Sequence, residues 1–168
     1  ENMPHKNTIN TLYIMLIIST ILGFVPNATA FLFSLALWFL VLIAAYIYRR
    51  KDKEDGLLYN HMTYLIGTIW IGTSFILIAS LAGGYWIWAL GDSTAFNTLA
   101  ASLDGGVAPS EDDIMNTMTN YYLTNKNLIL KVSLVTIVPA ILYFVYRIGN
   151  GMGRACKGYR IANPKSWL

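Results

Sequence analysis

No Asp, Glu, Lys or Arg occurs from Asn7 to Tyr48, and none from Gly56 to Gly91. Each run exceeds the roughly 20 apolar residues that one helix needs to cross a bilayer. Inside hydrocarbon the backbone must satisfy its own hydrogen bonds, so such runs cross as helices. Composition agrees: 55% of the 168 residues are hydrophobic, 14% aromatic and only 12% charged. Soluble domains carry about 25% charged residues. An ordinary soluble enzyme, a disordered chain and a collagen-like chain are thereby excluded. The chain reads as an all-α polytopic membrane protein.

The first run is too long for one span at about 1.5 Å per residue. Pro26-Asn27 divides it, because proline lacks a backbone donor and asparagine tolerates turn geometry. We expect a hairpin of spans over 9–25 and 28–48, a third span over 64–90 and a fourth over 128–146. Lys6, the apolar stretch and Ala28-Thr29-Ala30 also have the outline of a secretory signal. We read the segment instead as a retained span.

Four spans put Lys6, the Arg49–Lys53 cluster and the tail from Arg147 on one side, leaving only Lys126 and Lys131 of the twelve basic residues elsewhere. The positive-inside bias then makes both termini cytoplasmic, with 147–168 as a basic tail. A bacterial inner membrane is the expected home. The single cysteine, Cys156, allows no internal disulfide, and with two histidines no zinc-ligand spacing arises. No basic helix stands clear of the spans, so nucleic acid is not an expected partner.

The outer loop over 91–127 is longer than a connection requires. Asp92-Ser93-Thr94 has the chemistry of a helix cap, and Phe96, Leu99 and Leu103 then share a face. Gly105-Gly106 ends that helix. Ser110 and Asp113 resemble a capping box that opens a second short interfacial helix, with Ile114, Met118 and Tyr121 or Tyr122 at helical spacing. This loop is expected to dock a partner or to fold over its own bundle.

His61 at the cytoplasmic start of the third span suits haem ligation, proton relay, lipid contact or a structural bond to the Arg49-Arg50 loop or Arg147. Lys131 is shallow enough to snorkel to the outer headgroups. Thr68, Gly72, Ser80 and Gly84 recur at intervals of four or eight, a small-residue stripe suited to packing within the bundle or against another subunit. Pro139 is expected to kink the fourth helix. Asp104, Glu111, Asp112 and Asp113 lack the alternation of a calcium loop. Arg147, Arg154, Lys157 and Arg160 are placed to meet anionic lipids, while Gly149, Gly151, Gly153 and Gly158 argue against a long regular helix there.

Tyr59 to Trp70, with His61, Tyr64, Thr68 and Trp70, resembles the signature of small bacterial inner-membrane proteins of a domain-of-unknown-function family. That family is distantly related to an inner-envelope component of chloroplast protein import. It carries an arginine just before the threonine, where this chain has Gly67. Tyr146-Arg147-Ile148, Gly151 and Pro164 form the second match. The resemblance implies a four-helix membrane bundle without a settled activity.

No nucleophile-and-base pair, phosphate loop or redox motif is evident, and no acidic residue lies within an expected span. The expectation is a non-catalytic accessory subunit of a larger membrane complex, with no cofactor and no small-molecule substrate. It would dock through the third helix (Thr68, Gly72, Ser80, Gly84) and the outer loop (Ile114, Met118). Its partners would be larger membrane subunits and lipids, with His61, Arg147, Arg154, Lys157 and Arg160 at the lipid interface. The alternative is a small transporter, channel or translocation component.

Overall fold

The computed structural model describes residues 3–106 and 108–167. Among these residues the regular structure is all α: α1 (Met3–Gly23), α2 (Ala28–Lys51), α3 (Leu57–Leu90), α4 (Thr94–Asp104) and α5 (Glu111–Cys156). Two compact units form, one of Glu1–Ser74 with Leu142–Leu168, the other of Phe75–Ile141.

In the first unit, α1 and α2 make the expected hairpin. Asn27 caps α2, its side chain accepting from the Ala30 N–H at 3.1 Å. Two serines clasp the pair reciprocally: the Ser19 hydroxyl donates to the Ser34 carbonyl at 2.8 Å, and Ser34 to the Ser19 carbonyl at 2.7 Å. Arg49, Arg50 and Lys51 lie in the last turn of α2, where they complement the helix dipole. Asp52 ends α2 and starts α3, since its carboxylate accepts from the N–H groups of Leu58 and Tyr59. Ile9, Leu16, Val41, Ala45, Leu65 and Ile69 are fully buried together, and Phe144 and Ile148 of α5 join them.

Among the described residues three helices, α2, α3 and α5, are long and apolar enough to cross a membrane. α1 is not among them, because Lys6, Asn7 and Asn10 dilute its first half. The third and fourth elements also run past their expected bounds. α3 begins at Leu57 rather than 64, and α5 absorbs the whole stretch expected to be a second short helix, a link and a fourth span. The Ser110–Asp113 capping box forms as expected, the Asp113 N–H donating to the Ser110 hydroxyl at 3.2 Å. Nothing stops the helix afterwards, since no glycine or proline occurs between Glu111 and Val138.

α5 also runs through Pro139, Gly149, Gly151 and Gly153 to Cys156. Helical glycine costs about 1 kcal/mol against alanine, a weak preference that packing overrides. At Gly151 packing demands it, because a Cβ there would lie 2.4 Å from the Tyr13 hydroxyl. A Schellman turn ends the helix. Gly158, at φ 72°, donates to the Ala155 carbonyl, and Tyr159 to that of Arg154.

In the second unit, Gly83 of α3 faces α5, where a Cβ would lie 2.9 Å from the Thr136 hydroxyl. Asn125 ties α5 to the end of α3, accepting from the Asp92 N–H at 2.7 Å and donating to its carbonyl at 3.0 Å.

Candidate functional site

The start of α3, the last part of α5 and the tail after Cys156 enclose a buried polar cluster in the first unit. Asn60 grips the tail backbone in both directions. Its amide donates to the Ile161 carbonyl at 2.9 Å, and its oxygen accepts from the Ile161 N–H at 2.8 Å. His61 has no exposed surface. Its Nε2 lies 2.9 Å from the Tyr159 carbonyl, which only accepts, so Nε2 carries the proton. In the neutral ring Nδ1 then accepts from the Tyr13 hydroxyl at 3.4 Å. Both ring nitrogens are thus engaged within the protein. His61 is a tie between α1, α3 and the tail, and neither a lipid contact nor a partner of Arg49, Arg50 or Arg147.

Arg147 is the second departure from expectation. A surface lipid contact was anticipated, yet the side chain is fully buried. Its Nε donates to the Thr68 hydroxyl at 3.0 Å, and Nη1 to the Ser166 carbonyl at 2.7 Å. Thr68 accepts while donating its own proton to the Tyr64 carbonyl. The guanidinium carbon lies 4.2 Å from the centre of the Tyr64 ring, a cation–π contact. Among the described residues Nη2 is buried without a hydrogen-bond partner. The Tyr143 ring lies 6.0 Å from the same guanidinium carbon.

The small-residue stripe divides. Thr68 is spent on Arg147, and a Cβ at Gly72 would lie 2.0 Å from the Phe144 ring, so both positions serve internal packing rather than an outward face. Ser80 is exposed, and nothing lies within 4 Å of a Cβ built on the exposed Gly84. Arg154 and Lys157 are exposed and share a cavity of about 430 Å³ with Tyr159. Exposed Arg160 lines another of about 560 Å³ with Glu54, Asn60 and Lys165. Lys131 is exposed, as a snorkelling lysine requires.

Sequence reasoning missed Tyr13 and Asn60. Asn60 did leave a signal, an amide adjoining an apolar run, where a polar group needs a partner.

In the second unit, α4 lies against the first turns of α5, with the Phe96 and Tyr121 rings inclined at 54° and 4.9 Å between their centres. The space between the two helices, about 480 Å³, is lined on the α5 side by Asp113, Asn116, Thr117 and Asn120. Ile114, Met115, Met118 and Tyr122 are instead exposed. Asp92 opens α4, accepting from the Thr94 N–H at 2.9 Å and from its hydroxyl. The Thr94 bonds hold its carboxyl below its ordinary pKa of 3.8. A depressed folded pKa contributes stability above the unfolded value and loses it as pH falls through the folded one. Thr94 amide protection, followed by NMR, should therefore stay level from neutral pH down to about 5 and fall below about 4. Asp92→Asn should remove that dependence.

Compared with protein-family models, curated proteins and solved structures, the chain matches none.

Proposed function

We propose that the protein is a non-catalytic subunit of a larger membrane assembly, and that the first turns of α5 are its docking element. The observation that carries this is an inverted distribution of polarity. Asp113, Asn116, Thr117 and Asn120 line the open space toward α4, three of them still exposed, while the apolar Ile114, Met115, Met118 and Tyr122 are exposed as well instead of packing against α4. A helix that served only its own fold would turn its apolar side inward. At 1.5 Å per residue, the 46 residues of α5 measure about 69 Å, more than twice a ~30 Å hydrocarbon core. With the span over 128–146, the apolar stripe lies beyond the hydrocarbon and calls for a protein cover. Exposed Ser80 and Gly84 on α3 offer a second close-approach surface within the membrane.

The reading takes α1 as a fourth span beside the three long apolar helices. Its support is the pair of reciprocal Ser19–Ser34 bonds that hold α1 along α2. Both termini then fall on the basic side, the cytoplasmic face of a bacterial inner membrane. The family resembled by the His61–Trp70 stretch has the same layout. The buried polar groups of the first unit bond within the protein, mainly to backbone groups, which favours a subunit over a transporter that needs a polar path.

Extraction from the native membrane in mild detergent, followed by mass spectrometry of the companions, tests the reading. Larger subunits at fixed stoichiometry are expected, and Met118→Lys should release them while leaving the Tm unchanged. A lone monomer or a homo-oligomer would overturn it.

A further inference from the structure

We propose that the last turns of α5 hold an anionic phospholipid, its phosphate at Arg154 and Lys157 and an acyl chain in the groove between α1 and α5. All the residues involved belong to the first unit, so the inference does not rest on the docking element. Two cavities adjoin there. One is an apolar groove of about 260 Å³, lined by Ile17 and Ile21 of α1 and by Phe144, Val145 and Ile148 of α5. Thr20 also lines it, but its hydroxyl donates to the Leu16 carbonyl at 2.8 Å. The other is the cleft of about 430 Å³ that holds Arg154, Lys157 and Tyr159. Gly149 lines both. Along α5 the groove occupies about 7.5 Å before Gly149, and the cleft about 12 Å after it. That order, hydrocarbon and then positive charge, suits an anionic phospholipid.

Arg154 and Lys157 are both exposed, so a ligand can reach them. The Arg154 Nε donates to the Asn150 amide oxygen at 3.4 Å and its Nη1 to the Arg160 carbonyl at 3.2 Å, which fix its direction. Tyr159, whose carbonyl accepts from His61, adds an exposed phenol to the cleft. Arginine and lysine N–H groups suit phosphate oxygens in charge and geometry. With the span ending at 146, Gly149 stands about 5 Å past the hydrocarbon, at headgroup depth. Long basic side chains just beyond it reach back to that level, where each attracts anionic lipid.

Gly149 and Gly153 fit the same occupant. Both are exposed, and among the described residues nothing lies within 4 Å of a Cβ at either. Gly151 between them is required by Tyr13, but these two are not required by any such contact. Glycine weakens a helix, so their bare backbone calls for a use outside the fold. They lie one turn apart in the basic cleft and open a passage from it to the groove. A partner helix would use the glycines alone, whereas an anionic lipid also uses the cations and the groove.

The test uses the full chain in mild detergent, with native mass spectrometry during titration with phosphatidylglycerol, diacylglycerol or glycerol phosphate. Wild type should retain one phosphatidylglycerol per chain, and each of the other two at least tenfold more weakly. Gly149→Leu, which plugs the junction of groove and cleft, should weaken phosphatidylglycerol at least tenfold. Lys157→Gln should weaken it about fivefold, the worth of one basic residue at a membrane surface. Both positions are exposed and leucine is the better helix former, so neither variant should lower the Tm. Undiminished retention in Gly149→Leu would overturn the proposal, as would equal retention of diacylglycerol. Glycerol phosphate held as tightly as phosphatidylglycerol would show a free-anion site and overturn the lipid assignment. Release of a companion protein by Gly149→Leu, with lipid retention unchanged, would overturn it too and assign the glycines to a partner helix.

Discussion

Gly72→Ala is expected to lower the Tm of the detergent-solubilised protein by several degrees, although it adds a single methyl group. The new Cβ would fall 2.0 and 2.6 Å from two carbons of the Phe144 ring, inside any permitted contact. Phe144 is itself 5% exposed and packed in the core, so the ring has little room to swing away. Overpacking of this kind costs about 1–3 kcal/mol. For a chain of this length each kcal/mol shifts Tm by about 2–4 °C. Intrinsic helix propensity acts the other way, since alanine is about 1 kcal/mol better than glycine in a helix. The measured sign therefore decides whether α3 and α5 touch here. Adding Phe144→Leu should restore much of the loss in a double-mutant cycle. A Tm that rises in Gly72→Ala would show that α3 and α5 stand further apart.

Asn60→Ala should loosen the tail without unfolding the helices. Ile161 would lose partners for both its N–H and its carbonyl, at a residue only 5% exposed. Each orphaned buried group costs about 1–3 kcal/mol. The tail has somewhere to go, so the response is local opening rather than global collapse. Hydrogen exchange at the Ile161 amide should accelerate by tenfold to several hundredfold, at about 1.4 kcal/mol per factor of ten. Ser166 should follow, because the same tail brings its carbonyl to Arg147. Unchanged exchange at Ile161 would mean that Asn60 does not hold the tail.

Asn7 to Tyr48 and Gly56 to Gly91 lack charge, and that alone determined helices long and apolar enough to cross a membrane, because only helices hide their backbone polarity within one apolar segment. Local chemistry also determined the turns. Pro26-Asn27, Asp92 and the Ser110–Asp113 box each act within a few residues, so their effect is written in the order of the chain. Tertiary structure decided the rest. His61 and Arg147 looked like interfacial residues, because hydropathy places a residue along the membrane normal but says nothing of which way its side chain faces. Tyr13, His61 and Tyr159 meet across nearly the whole chain, and Asn60 meets Ile161 across 101 residues. Likewise Thr68, Gly72, Ser80 and Gly84 are alike in sequence, yet two are filled by Arg147 and Phe144 and two stand open. Small size permits close approach, but only the packing of α3 against its neighbours selects which positions are used.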